Sequence, residues 1–224
     1  MAAVTAPRIH GDGTPEAAWQ RSVWLAALPQ RRVEDLIADA RRLMVVSPHP
    51  DDEALGCGGA VACARRLRRP VRLIAVTDGE ACYPDDAHWT PSRLRAVRRA
   101  ELAAAARCLG LEAEAIDHLC VADGQVGEHE SSVAERVRAQ LQSGDLVLTT
   151  WRHDGHPDHE ATARAVRRAV AACDARLAEF PVWAWHWLDA DAPQPPLPGA
   201  VRYSLDAADW QAKQQALQCF ASQL

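Results

Sequence analysis

LMVVSPHPDDEALGCGG, residues 43–59, decides how the chain is read. Its first five residues form a continuous apolar run, the pattern of a short strand buried on both faces. A Pro-His-Pro turn follows, and three consecutive acids then lead into a helical pattern. Strand, acidic loop and helix in that order begin a βαβ unit, whose loop leaves the C-terminal edge of a parallel strand. Three adjacent carboxylates repel one another, and a bound cation gives that crowding a purpose.

The same alternation extends outward from this stretch. Before it, residues 14–28 read as a helix with Thr14 as N-cap and Pro15 at its first position, and 31–42 as a second helix. After it come a helix at 54–68 and a strand at 71–79 ending in an Asp-Gly turn. A helix at 92–109 closes on Gly110, and a weaker strand covers 115–121. A helix at 131–142, a strand at 145–151 and a helix at 158–173 follow. Residues 179–187 look extended, 193–198 form a Pro-rich loop, 200–206 a strand and 207–221 a final helix. This pattern predicts an α/β fold with a mostly parallel, doubly wound sheet. Residues 1–13, small, polar and punctuated by Gly and Pro, are expected to form a loose arm, and 14–224 a single domain.

Composition narrows the function classes. The 224 residues are 48% apolar and 25% charged with a net charge of −5, and basic and acidic residues are interspersed. Neither nucleic acid nor an anionic membrane is indicated as a partner. A small molecule is expected instead, with self-association left open. No run is long enough to span a bilayer and no apolar signal segment is seen, so the cytoplasm is the expected compartment. The seven cysteines include no C-x-x-C pair and sit in apolar patterns, as small buried hydrophobes in a reducing compartment would.

The chemistry concentrates in two loops. His49-Pro50-Asp51-Asp52-Glu53 leaves the 43–47 strand, and His153-Asp154-Gly155-His156-Pro157-Asp158-His159 leaves the 145–151 strand. Both belong on the C-terminal rim of the sheet, where such folds bind ligands. Imidazole and carboxylate together suit a divalent transition metal, Zn2+ first, with Fe2+ or Mn2+ as competitors. Two histidines and one carboxylate leave a position open for water, and a neighbouring acid can take that water's proton. Glu53 reads as first-turn helix support and Asp154 as a loop or capping acid. Gly56, Gly58 and Gly59 read as close helix–strand packing, because the adjacent carboxylates would repel a phosphate. A phosphoacceptor domain needs a lysine beside its acids, and the sole lysine, Lys213, lies far along the chain. Trp183, Trp185 and Trp187 alternate and would share one face of an extended segment, as core packing or as a platform for a sugar ring. Trp151, beside the second motif, is a candidate pocket residue.

With both motifs placed, the chain resembles the PIG-L/LmbE-like family of metal-dependent de-N-acetylases. The resemblance runs over VVSPHPDDEALGCGGAVA, VTDGE, RRAELAAAARCLGL and GHPDHEATARAV, with KQQALQCFASQ (213–223) similar to the family's C-terminal signature. It implies a Rossmann-like fold and a metal held by His49, Asp52 and His159. It further implies Asp51 as general base, His156 as the group that stabilises the oxyanion or protonates the leaving amine, and Asp158 orienting His156. Arg98 matches a position of substrate contact. Family members continue beyond the C-terminal signature, which implies a smaller pocket or a shortened chain here. The implied activity is zinc-dependent removal of an N-acetyl group from an amino sugar or glycoconjugate. The alternatives are a non-catalytic metal- or sugar-binding module and an amidohydrolase of non-sugar N-acyl substrates.

His153, His156 and His159 recur every three residues, so two H-x-x-H registers compete. Proline is favoured in a first helical turn and disfavours αR at the residue before it. A helix starting at Pro157 would place His159 in its first turn as the ligand and His156 at its mouth, with His153 dispensable in the loop.

Overall fold

The computed structural model describes residues 9, 11–194 and 196–223; most of the expected N-terminal arm lies outside them. Strands β1 (Gln30–Arg32), β2 (Arg42–Ser47), β3 (Val71–Ala75), β4 (Ile116–His118), β5 (Asp145–Thr150), β6 (Arg176–Phe180) and β7 (Arg202–Ser204) are joined by helices. These are α1 (Glu16–Arg21), α2 (Val23–Ala27), α3 (Val33–Ile37), α4 (Asp52–Arg66), α5 (Pro91–Cys108), α6 (Glu130–Arg138), α7 (Pro157–Val170), α8 (Ala184–Trp187) and α9 (Ala207–Leu217). Five strands form a sheet in the order β4-β3-β2-β5-β6, parallel at every pairing. The chain runs outward from β2 in one direction and then restarts from β5 in the other. The crevice at the C-terminal ends of β2 and β5 is therefore the topological switch point.

Strand β2 shows why the opening run must be apolar throughout. Its odd-numbered Leu43 and Val45 enter a core with α3, α4, α5 and the segment around α9, whereas Met44 and Val46 enter a second core with α6 and α7. All four side chains are excluded from solvent. Full burial of each contributes roughly 1.5–3 kcal/mol. Among the described residues, no helix is long and apolar enough to cross a membrane.

Several local expectations change. The helix expected over 31–42 is only α3, because Gln30–Arg32 instead pair in parallel with Arg202–Ser204 as a separate two-stranded sheet. The helix expected over 14–28 is broken at Ser22, whose hydroxyl accepts the Leu25 amide and caps α2. Thr14 does not cap α1; its hydroxyl donates to the carbonyl of Leu188 at 2.7 Å. The extended segment expected over 179–187 ends at Phe180, and residues 184–187 form the helical turn α8. The three tryptophans therefore do not share one face of a strand. Cysteine burial is also uneven: Cys57 and Cys63 are buried, whereas Cys82 and Cys120 are exposed.

Of the glycines after the acids, Gly56 and Gly59 pack closely as expected and Gly58 does not. A Cβ at Gly56 would overlap the buried Phe180 ring of β6, and one at Gly59 would overlap Leu205, whereas at Gly58 it would meet Lys213 Cγ at an ordinary 3.4 Å. Gly56→Ala should therefore destabilise by about 1–3 kcal/mol through overpacking. Gly58→Ala should be neutral or stabilise by up to about 1 kcal/mol through helix propensity. Urea unfolding midpoints check the contrast, and equal losses at both positions would contradict this packing account.

Candidate metal centre and active site

The two sequence motifs meet at the switch point. His49 lies in the loop after β2, and Asp52 opens α4 two residues past Pro50. The His49 amide donates to Asp52 Oδ2 at 3.0 Å, which folds the loop back on itself. From the other side, Pro157 begins α7, as the first-turn preference of proline predicts, and His159 falls within its first turn.

Three ligand atoms converge. His49 Nδ1 is 3.2 Å from His159 Nε2 and 3.4 Å from Asp52 Oδ2, and His159 Nε2 is 3.3 Å from Asp52 Oδ2. Ligands about 2.0–2.2 Å from a tetrahedral metal stand about 3.3–3.6 Å apart, so this triangle has the dimensions of one face of such a site. The outer nitrogens support the same reading. His159 Nδ1 is 2.7 Å from Asp154 Oδ2, and His49 Nε2 is 3.1 Å from Asp123 Oδ1 and 3.3 Å from Asp158 Oδ2. A carboxylate on the outer nitrogen holds the proton there and turns the inner lone pair toward a metal. The donor set and its spacing fit a divalent ion.

The electrostatics follow from burial and charge crowding. Burial opposes a charge on His49, yet hydrogen bonds to the accepting carboxylates of Asp123, Asp158 and Asp52 hold its pKa well above the ordinary value. Burial raises the Asp52 pKa, but the His159 and His49 charges outweigh it and bring it to about 2. Asp51 is pushed up to about 7, first by burial and then by the charge of Asp52. His156 falls to about 4 through burial and the neighbouring His49 and His159 charges.

Asp51 sits at φ 120°, a conformation costly for any residue other than glycine. Arg98 holds it there: Nη2 donates to the Pro50 carbonyl at 2.6 Å and to Asp51 Oδ2 at 3.0 Å, while Nη1 donates to the Gly79 carbonyl at 3.0 Å. Gly79 has φ +65°, and any Cβ there would strike the guanidinium. Glu53 adds support from below, with its Oε2 accepting the Asp51 amide. Arg98, expected as a substrate contact, borders the cavity but spends its terminal nitrogens on this clamp.

A cavity of about 710 Å³ opens onto the triangle. It is bordered by His49, Asp51, Asp52, Asp123 and His156 at its floor and by Trp183 and Trp185 on one wall. His156 Nδ1 accepts the Asp158 amide at 3.2 Å, which leaves Nε2 to carry the ring hydrogen. The expected orientation of His156 by the Asp158 carboxylate is corrected here. That carboxylate turns to His49 and accepts the amides of Gly124 at 2.7 Å and Val126 at 3.2 Å. His153 is exposed beside Arg152, away from the cavity. Trp151 does not border the cavity either; it stacks on Trp187 at 6.3 Å and lines a separate depression with Arg152 and Glu179.

Two residues go beyond the sequence reading. Asp154, taken as a loop or capping acid, is fully buried on His159 and also accepts the amides of Val182, Trp183 and Ala184. Asp123 was not singled out. Its place just after a predicted strand, in an Asp-Gly pair, is the one sequence signal that marked it.

Known proteins share this architecture. The chain is 32% identical over 166 residues to 2'-N-acetylparomamine deacetylase of Streptomyces fradiae, covering 66% of this chain and 58% of that protein. It is 33% identical over 164 residues to the 1D-myo-inositol 2-acetamido-2-deoxy-alpha-D-glucopyranoside deacetylase of Streptomyces avermitilis, covering 60% of this chain and 54% of the relative. The chain thus spans less than two thirds of these curated relatives. N,N'-diacetylchitobiose deacetylase from Pyrococcus horikoshii shares the fold with a TM-score of 0.64 at 21% identity, over 96% of this chain and 82% of that one. The family model for PIG-L, GlcNAc-PI de-N-acetylase, matches residues 44–170, a span that runs from within β2 to the end of α7 and contains His49, Asp52 and His159. By that match the chain belongs to the PIG-L family.

Proposed function

We propose that this chain hydrolyses the acetamide of an N-acetylated amino sugar or glycoconjugate, using a zinc ion held by His49, Asp52 and His159. The observation that carries this reading is the metal-sized triangle with Asp51 and His156 beside it at the floor of one cavity. A divalent ion in the triangle would supply Lewis acidity, polarising the amide carbonyl and lowering the pKa of water.

The side chains do the rest. Asp51 Oδ2 is held by Arg98, so its other oxygen accepts the proton of the attacking water. Burial and the adjacent Asp52 carboxylate raise the proton affinity of Asp51, which suits a group that must take up a proton. His156 Nε2–H faces the cavity as a neutral donor and stabilises the developing oxyanion. The proton held on Asp51 passes to the departing amine, leaving acetate and a free amino sugar. Of the two roles implied for His156, the donor role agrees with its depressed pKa, because a ring that stays neutral keeps its Nε2 hydrogen available.

His49→Ala and His159→Ala should each lose stoichiometric metal, read by elemental analysis, together with amine release from N-acetylglucosamine glycosides. Full occupancy at the native affinity in either variant would remove that residue from the ligand set. Asp51→Asn should keep its metal while kcat falls by roughly 10²–10⁴. Near-normal turnover in that metal-loaded variant would take Asp51 out of the mechanism and leave the chain without an assigned base.

The histidine register has its own test. His156→Ala should retain metal and lose about 10²-fold or more in kcat, the range for one oxyanion donor. His153→Ala should leave metal content unchanged. Loss of metal from His153→Ala with retention in His159→Ala would reverse the assignment.

A further inference from the structure

The charge distribution around the cavity selects among substrates of the proposed class. Arg98 is the one guanidinium or ammonium group among the described residues bordering it. Its terminal nitrogens are committed to Asp51 and to the carbonyls of Pro50 and Gly79, and its Nε is sealed from solvent. Against it stand the carboxylates of Asp51, Asp52 and Asp123, with Asp158 directly behind His49. An anionic group on the part of the substrate beyond the acetamide would face these carboxylates with no arginine or lysine free to meet it, and would lose its hydration without compensation.

The wall above the floor adds a second, independent bias. Trp183 stacks near-parallel with His156, centroids 6.1 Å apart at 21°, and so stands over the reacting position. Trp185 is 36% exposed at the mouth and is braced edge-on by Trp19 at 5.0 Å, with the Trp19 indole N–H donating to the Trp185 carbonyl at 2.9 Å. The remaining wall includes Leu55, Val182, Ala81, Cys82 and Gln223, with the imidazole of His186 beside the tryptophans and, among the described residues, no lysine or further arginine. Indole faces accept the apolar face of a sugar ring and attract cations, and they repel anions. At about 710 Å³ the cavity falls in the range that encloses a whole drug-sized ligand, so the group beyond the acetylated ring is read as well.

We infer that the cavity selects a neutral or amine-bearing N-acetyl amino sugar and disfavours glycosides whose aglycone carries a phosphate or carboxylate, with Trp185 as the residue that reads the aglycone. This inference rests on the proposed sugar deacetylation.

The test uses the metal-loaded chain and three glycosides of N-acetylglucosamine that differ only in aglycone charge: ethyl, 2-aminoethyl and 2-carboxyethyl. Tryptophan fluorescence titration gives Kd for each, and amine release gives kcat/KM. The carboxyethyl glycoside should bind about five- to tenfold more weakly than the ethyl glycoside, the size of one like-charge contact at intermediate dielectric. The aminoethyl glycoside should bind at least as tightly as the ethyl one, and raising the salt should narrow the gaps. Cys82→Arg, at an exposed position of the rim, should bring the carboxyethyl Kd toward the ethyl value. Trp185→Ala should weaken all three and weaken the aminoethyl glycoside most. Equal Kd values for the three, or tighter binding of the carboxyethyl glycoside, would overturn the charge selection while leaving the sugar reading in place. If none of the three binds or turns over, the sugar reading itself fails and this inference falls with it.

Discussion

One buried carboxylate holds the site together. Asp154 is excluded from water, where an ionised group without partners would be destabilised by several kcal/mol. It is instead met by four donors: the Nδ1 of His159 and the amides of Val182, Trp183 and Ala184. Its own backbone carbonyl accepts the Trp187 indole N–H at 2.8 Å. The residue that sets the His159 tautomer thus also sets the turn that carries the aromatic wall. Asp154 thereby ties His159 of the triangle to the tryptophan-bearing wall of the cavity through one carboxylate.

Strain is concentrated a few ångströms away, on the opposite motif. Asp51 adopts a backbone conformation that glycine would take without penalty, in a stretch where glycine is plentiful a few residues later. A glycine here would relieve the strain and remove the carboxylate proposed as the base. Local stability and chemistry therefore conflict at this position, and the conflict is met by Arg98 reaching in from α5 and by Glu53 beneath. Such conflicts gather at sites where geometry is held for function.

The sheet and the identity of the two meeting loops were legible because both are written locally. Four apolar residues and a serine followed by a loop and a helix have few alternatives, and Pro157 fixes where α7 begins. What escaped the sequence was set by contacts distant in the chain. The strand Gln30–Arg32 exists only because Arg202–Ser204 lies beside it, and nothing in the polar sequence QRR announces pairing. The turn at Ala184–Trp187 replaces an extended segment because Asp154, some thirty positions earlier, draws three successive amides to one carboxylate. Asp158 was assigned to its neighbour His156, but its oxygens are claimed by His49 and by two amides of the Gly124–Val126 loop. Spacing along a helix shows which side chains are adjacent, and the topology of the loops decides which of them meet.

The small parallel sheet has a consequence for the order of assembly. Strand β1 near the beginning of the chain pairs with β7 near its end, and Thr14 likewise hydrogen-bonds to the carbonyls of His186 and Leu188. Contacts of such long sequence separation form late in folding, and synthesis proceeds from the N-terminus. During translation Trp19 and Trp24 emerge well before Ala184, Leu188 and Leu197, the residues they pack on. The nascent protein can complete its central sheet before those residues emerge, yet the mouth of the cavity is still missing a side. A chaperone that meets this chain on the ribosome would encounter these two indoles before the segment that covers them has been made.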